Sequence, residues 1–344
     1  MDPLLARPPE EGARRLALSF LDQAAAAFPR LADPADSEAL HDFRVGLRRL
    51  RSCLRAYREA LAGSIPKKLA RRLRRLAAAT GPGRDAEVQI EWLQSRGKHL
   101  APSHRAGLSW QLGRLGERMR AAYAELTGHL GPRFPDLEKE LRHHLSVYQA
   151  EVHLGIDGPH PTLGTATAAI LHRQLEDLAG HLTQVRSAGD EKEAHRARIS
   201  AKRLRYLLEP LAEDLPGAPP LVKRLKKLQE LLGELHDAHV LEPELAGAVE
   251  TAAAERARHL FALALDDQPD EARLRAARRR TVEPGLLALA RQNRQRRDEL
   301  FVEMETDWLG GKADELCHRM EALAAEMEGA GDVAPRGTPS LKNL

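Results

Sequence analysis

A long basic motif occurs twice in this chain of 344 residues. HDFRVGLRRLRSCLRAYREAL begins at His41, and HRARISAKRLRYLLEPLAEDL begins at His195. A second basic stretch follows each copy, LARRLRRL in the first and LVKRLKKL in the second, and the correspondence continues from Gly81 to Gly233. The copies lie about 150 residues apart, which is too long for a solenoid repeat. The pattern therefore predicts two similar half-molecules that arose by internal duplication.

The composition predicts that both halves are helical. The chain contains only 3 Trp, 4 Tyr and 6 Phe, and Leu, Ala, Arg and Glu predominate, as is typical of long helices. No run alternates Val, Ile, Thr or aromatic residues with polar ones, which would be the pattern of a strand. We therefore predict an all-α fold.

Proline and glycine residues divide the chain into helical segments. We predict helices near residues 11–28, 37–62, 66–80, 85–96, 103–128, 134–153, 165–187, 191–214, 219–235, 238–265, 271–279, 284–306 and 311–328. The segment 155–164 is rich in Gly and Pro and is the predicted linker. The predicted organisation is therefore a first half at 1–154, the linker at 155–164, a second half at 165–328 and a disordered tail at 329–344.

The repeated motifs place their basic residues in rows along helices. In the first copy one stripe is apolar and comprises Phe43, Leu47, Leu50, Leu54, Tyr57 and Leu61. A cationic row lies about a quarter turn away and comprises Arg44, Arg48, Arg51 and Arg55. The second copy has the apolar stripe Ala201, Leu204, Leu208, Leu211 and Leu215 and the cationic row Arg198, Lys202 and Arg205. The helices that follow add Lys68, Arg71 and Arg75 in the first half, and Lys223 and Lys227 in the second.

The charge is concentrated locally, although the net charge of the chain is only +3. Twelve Lys or Arg residues and a single acid, Glu59, lie between Arg44 and Arg75. Basic residues on helices are usually solvated and paired with an acid at i+4, and Arg44, Arg48 and their neighbours have almost no such acid. Like charges at i and i+4 destabilise a helix. A sequence that carries this repulsion twice favours a polyanionic partner.

The chain resembles the CHAD domain family, whose members are histidine-containing and α-helical. The residues that carry the resemblance are His41-x-x-Arg44-Val45-x-x-Arg48-Arg49-Leu50-Arg51, Gly81-x-x-Arg84-Asp85-x-x-Val88, His195-x-x-Arg198-Ile199-x-x-Lys202-Arg203-Leu204-Arg205-Tyr206 and Leu232-Gly233-x-x-His236-Asp237-x-x-Val240. The resemblance implies two antiparallel four-helix bundles related by a pseudo-twofold axis, with a shared basic groove or pore that binds inorganic polyphosphate. Two basic positions of the first half are not basic in the same way in the second, because His236 stands in place of Arg84 and Glu209 in place of Arg55.

The chemistry of polyphosphate matches this pattern. Polyphosphate offers only charge and oxygen acceptors, so its binder needs many Arg and Lys donors along a track. The predicted polyphosphate-binding residues are His41, Arg44, Arg48, Arg51, Arg55, Lys68, Arg71, Arg75, His195, Arg198, Lys202, Arg205, Lys223 and Lys227. Single-strand nucleic-acid binders interleave aromatics with basic residues, and only Tyr206 lies near a cationic row. Nucleic acid is therefore expected only as a weak, non-sequence-specific partner.

Two histidines begin the basic helices at equivalent positions. His41 and His195 are either phosphate donors or hydrogen-bonding residues at the helix start, and the sequence leaves both interpretations open. His236 and His239, at i and i+3, could ligate a metal, but this interpretation is the weaker one. The equivalent segment of the first half, Arg84-Asp85-Ala86-Glu87, contains no histidine. We predict no metal and no cofactor.

Catalysis is not expected. The pairs His41-Asp42 and His236-Asp237 are typical of metal phosphohydrolases, but neither recurs in the other half. The repeated Asp85 and Asp237 are expected to cap helices or to pair with Arg. The alternative to a polyphosphate-binding protein is a structural granule-surface or assembly protein, with the helices 103–128 and 284–306 as its packing surfaces. The oligomeric state stays open.

The expected compartment is a reducing cytoplasm, with polyphosphate granules as the place of accumulation. The chain has two distant cysteines, no signal peptide and no apolar run of membrane-spanning length. No membrane partner is therefore expected.

Overall fold

The computed structural model describes residues 4–33, 36, 38–130, 133–147, 161–266, 270–279 and 281–331. Twelve α-helices and no strand lie within these ranges. The helices before residue 148 are α1 (Pro9–Ala27), α2 (Ala39–Ala56), α3 (Lys67–Ala79), α4 (Gly81–Gly97), α5 (Arg105–Glu125) and α6 (Phe134–Ser146). The helices after residue 160 are α7 (Leu163–Leu182), α8 (Glu191–Leu208), α9 (Ala218–Ala264), α10 (Glu271–Arg279), α11 (Glu283–Trp308) and α12 (Gly311–Gly331). The all-α prediction is confirmed.

The apolar stripes predicted from the sequence face the interior. Phe43 and Leu47 of α2 are at most 1% exposed, and Leu204 and Leu208 of α8 are fully buried. The apolar positions of α3 and of the first half of α9 are buried in the same way. Helical periodicity therefore placed the core residues correctly on all four basic helices.

Of two predicted breaks between helices, one is shorter than expected and lies at Thr80, and the other is absent. We predicted a turn at Gly81-Pro82-Gly83, but α4 begins at Gly81, because a proline in the first turn gives up only an N–H that has no partner there. We also predicted an interruption after residue 235, but α9 continues for 47 residues through Pro243. Leu235, Leu241 and Leu245 continue its buried stripe, and their packing offsets the hydrogen bond that the proline removes.

Other helix boundaries in the structure differ from the predicted ones by several residues. Pro210 follows the end of α8, and the chain there forms a short 3₁₀ turn, Glu209–Leu211, rather than the predicted helix to residue 214. Helix α7 begins at Leu163, inside the predicted linker, where Thr162 and Thr165 cap it reciprocally. Helix α12 runs to Gly331, past the predicted start of the tail. The remaining linker residues 155–160 and tail residues 332–344 lie outside the described residues.

The basic helices lie at the centre of the packing. Helix α2 packs on α1 and α8, and α8 packs in turn on α7 and α9. The largest buried cluster combines side chains from helices before and after the linker, α1 to α3, α6 to α9, α11 and α12. A second cluster joins α4, α5, α11 and the middle of α9. The division into halves at 1–154 and 165–328 stays a prediction. No helix of the described residues has both the length and the apolar character needed to cross a membrane.

Candidate functional site

The contact between α2 and α8 brings the two predicted cationic rows together. Lys202 of α8 is half-buried, and the pKa of its ammonium falls from 10.5 to about 6. The main cause is burial, and the charges of Arg48, Arg198, Arg44 and Arg205 add to it. Two of these arginines belong to α2 and two to α8. Lys202 therefore lies among cations from both copies of the motif.

Arg51 extends this group along α2. The pKa of its guanidinium is lowered by burial and by the positive charges of Arg74, Arg55 and Arg48, in that order. We refer to the six half-buried cations as the central cationic cluster, which comprises Arg44, Arg48, Arg51, Arg198, Lys202 and Arg205. Arg74 of α3 lies beside this cluster and was not among the predicted site residues. Its packing against α2 gave no signal in the sequence, since periodicity describes one helix at a time.

Tyr206 lies beneath the cluster. Its hydroxyl accepts a hydrogen bond from the Arg48 guanidinium at 2.8 Å, and the Arg205 guanidinium lies 4.9 Å from the centre of its ring. The tyrosine is only 7% exposed. Its ring therefore stabilises two arginines and offers little surface for stacking a base.

Backbone carbonyls and carboxylates from other helices lie near the cluster. Arg44 donates to the carbonyl oxygen of Thr80 and, at 3.3 Å, to that of Gly81. Gly81 begins α4, whose first turns also carry Asp85. Arg198 interacts electrostatically with both Asp237 and Asp85. Burial raises the pKa of Asp237, and the charge of Arg198 opposes that rise. The repeated aspartates thus act on Arg198 through their charge, without forming, among the described residues, the ion pair expected from the sequence.

The two histidines at the helix starts have different surroundings. His41 is exposed, whereas His195 lies against His236 with 4.6 Å between the ring centres. The Nδ1 atoms of both rings in this pair are buried and have no hydrogen-bond partner among the described residues. Burial and then the charge of Arg198 lower the pKa of both histidines, to about 4 in His236. The pair is therefore uncharged at neutral pH.

The remaining predicted site residues are exposed to solvent. Lys68, Arg71, Arg75, Lys223 and Lys227 are all exposed. The charge of Lys68 acts on Glu140 of α6, and that of Lys227 on Asp307 of α11. Arg55 is also exposed, at the end of α2. The structure therefore brings together the half-buried members of the predicted set, and the other members are exposed.

Neighbouring cations outside the cluster have acidic partners. Arg49 pairs with Glu209 at 2.9 Å, and Arg72 pairs with Glu140. Within the described part of the chain, no carboxylate forms an ion pair with any member of the central cationic cluster. The Nε atoms of Arg48 and Arg205 are buried there without a hydrogen-bond partner. This arrangement of basic side chains without carboxylate partners is suited to an anion with many oxygens.

Comparison with known proteins places the chain in a family. Residues 15–246 match the family model of the CHAD domain. The fold is similar to the crystal structure of the CHAD domain from the plant Ricinus communis, with a TM-score of 0.59, 20% identity, and coverage of 92% of this chain and 93% of that one. No curated protein matches the sequence. Because the family model spans well over half of its length, this chain belongs to the CHAD domain family.

Proposed function

We propose that the protein binds inorganic polyphosphate through the central cationic cluster and does not hydrolyse it. The observation that carries the proposal is the convergence of five half-buried arginines and Lys202 from α2 and α8, none of which has an ion-pair partner in the described ranges. Keeping these charges together costs free energy, and a polyanion would recover it. CHAD domains are associated in general with polyphosphate.

The proposal includes one groove shared by two duplicated halves. In support, α1 and α2 precede the basic second stretch in the first half as α7 and α8 do in the second. Arg44 and Arg48 act on Lys202 across the contact between α2 and α8, so a chain bound to one row would also meet the other. A long polyphosphate would then lie along α2 and α8 together and direct the protein to polyphosphate granules.

Binding without catalysis is supported by the chemistry of the site. Two carboxylates near it, those of Asp85 and Asp237, interact electrostatically with Arg198, and no group of three or more metal-ligating side chains occurs among the described residues. Phosphoryl transfer needs positioned groups that stabilise both the attacking and the leaving oxygens. Nucleic acid is the weaker candidate, because Tyr206 is buried under the arginines.

The test is a calorimetric titration with long-chain polyphosphate at several salt concentrations. With about six phosphates contacted, log K should fall with log salt at a slope of roughly −4, taking about −0.7 per contact by analogy with single strands. Arg48→Glu and Lys202→Glu, at equivalent positions of α2 and α8, should each cost about 1–3 kcal/mol of binding free energy.

The matched control is Arg319→Glu on α12, which makes the same change of charge as Arg48→Glu, on an exposed residue next to Glu315. It should have far less effect than the two cluster variants. Absence of binding at low salt would refute the proposal. Equal losses in all three variants would mean bulk attraction rather than a site, and a loss in only one cluster variant would exclude the shared groove.

A further inference from the structure

Two cavities flank the contact between α2 and α8, and corresponding residues line them. The α7 cavity, of about 380 Å³, lies between α2, α7 and α8, and the α1 cavity, of about 300 Å³, lies between α1, α2 and the end of α8. The correspondence has the same spacing as that of His41 and His195. It pairs Leu16 with Ile170, Ser19 with Arg173, and Arg49 with Arg203.

The two cavities differ in charge at this shared position. In the α1 cavity Glu209 forms an ion pair with Arg49 at 2.9 Å, and Glu213 adds a second acid. In the α7 cavity the residue that corresponds to Glu209 is Arg55, which faces Arg203. The half-buried arginine of one cavity thus has a carboxylate against it, and that of the other has a second guanidinium there. The α7 cavity has its own acids elsewhere, with Glu59 in the place of Glu213 and Asp177 in the place of Gln23.

The cations of the α7 cavity are only partly balanced. Burial and then the charge of Arg55 lower the pKa of Arg203, against the opposing charge of Asp177. Arg173 is an exposed third guanidinium, in place of Ser19. Of the other charged residues that line the cavity, Arg58 pairs with Glu59 at 3.6 Å, and Glu176 is exposed. Arg55, Arg173 and Arg203 form no ion pair within the described residues.

We infer that the α7 cavity is a separate binding site for a short phosphate chain of two or three phosphates. The ligand takes the position that the carboxylate of Glu209 takes against Arg49 in the α1 cavity. Three guanidiniums provide bidentate donors for phosphate oxygens, and the cavity volume is at the small end of ligand sites. Arg51 links Arg55 electrostatically to the central cationic cluster, so the end of a longer chain could also enter. The site does not depend on the proposed function of that cluster.

The test is calorimetric titration with pyrophosphate and with tripolyphosphate. Arg55→Glu gives the α7 cavity the acid that neutralises the α1 cavity, and Arg203→Gln removes the half-buried donor. Both should weaken pyrophosphate binding at least ten-fold, whereas Arg49→Gln, the equivalent change in the α1 cavity, should have little effect. Glu209→Arg should free Arg49 and raise the stoichiometry from one to two.

Two outcomes would overturn the inference. Unchanged pyrophosphate affinity in Arg55→Glu and Arg203→Gln would show that the cavity is not the site. Loss of pyrophosphate binding in Lys202→Glu, with no loss in Arg55→Glu, would place the ligand in the central cationic cluster alone. Titration of the same variants with long-chain polyphosphate distinguishes this failure from failure of the proposed function, because only Lys202→Glu acts on the cluster directly.

Discussion

Replacing Lys202 by methionine should remove most of the pH dependence of polyphosphate binding above pH 6. The free protein holds the pKa of Lys202 at about 6, because the half-buried side chain is partly removed from water and lies among four arginines. A bound polyanion neutralises those charges, so binding should draw a proton onto the lysine. Methionine has a similar length and cannot titrate. Arg48 and the other arginines stay charged throughout.

The size of the effect follows from linkage. If the bound polyanion restores the pKa to 10.5, its value without the protein, the association constant should fall about 50-fold between pH 6 and pH 8. This is the upper limit, since partial restoration gives a shallower fall. The direction is fixed, because a base whose pKa rises on binding strengthens the complex as the pH falls. His195 and His236 act in the same direction at lower pH.

The assay is titration with polyphosphate at pH 6, 7 and 8 and constant ionic strength, in two buffers with different ionisation enthalpies. The wild-type protein should take up close to one proton per site at pH 8, and Lys202→Met should take up far less. Lys202→Arg should bind more tightly at pH 8 and lose the slope. Lys226→Met is the control, since Lys226 is exposed on α9 and lies near Glu230. A wild-type affinity independent of pH, or an unchanged slope in Lys202→Met, would refute the reasoning.

The remaining predictions concern packing and catalysis. In Gly46→Ala the new methyl carbon would lie 2.8 Å from the backbone nitrogen of Ala24, so α1 and α2 must separate, and we expect a loss of about 1–3 kcal/mol in the free energy of unfolding, measured by urea denaturation. Gly113→Ala in α5, whose new methyl carbon would have no atom within 4 Å apart from its chain neighbours and the backbone of its own helix, should instead gain up to about 1 kcal/mol. Incubation of polyphosphate or ATP with the protein and Mg²⁺ should release no phosphate above background, and turnover that disappears in Asp85→Asn or Asp237→Asn would contradict this.

Periodicity within single helices made the core and the cationic rows predictable. The buried positions of α2 and α8 followed from apolar residues three or four apart, and the half-buried cations Arg48 and Lys202 followed from the repeat. The sequence also indicated where most helices lie. These features are local, so a pattern in one segment is enough to reveal them.

Features that depend on contacts between distant segments were not predictable. Arg49 forms an ion pair with Glu209, whereas the adjacent Arg48 forms none with a carboxylate among the described residues. Nothing in the sequence around these two arginines indicates that difference. The stacking of His195 on His236 arises only when α8 packs on α9. The continuity of α9 past Pro243 likewise depends on the helices that cover its buried side.

The length of α9 ties the stability of separate regions together. At about 1.5 Å per residue its 47 residues extend over roughly 70 Å. Leu225 lies in the largest buried cluster, Leu241 in the second and Ala252 in a third. Unfolding of any one cluster would therefore disrupt α9, the helix against which the other two clusters pack. We therefore expect heat to unfold these three clusters in a single cooperative transition, with the slowest amide hydrogen exchange in the middle of α9.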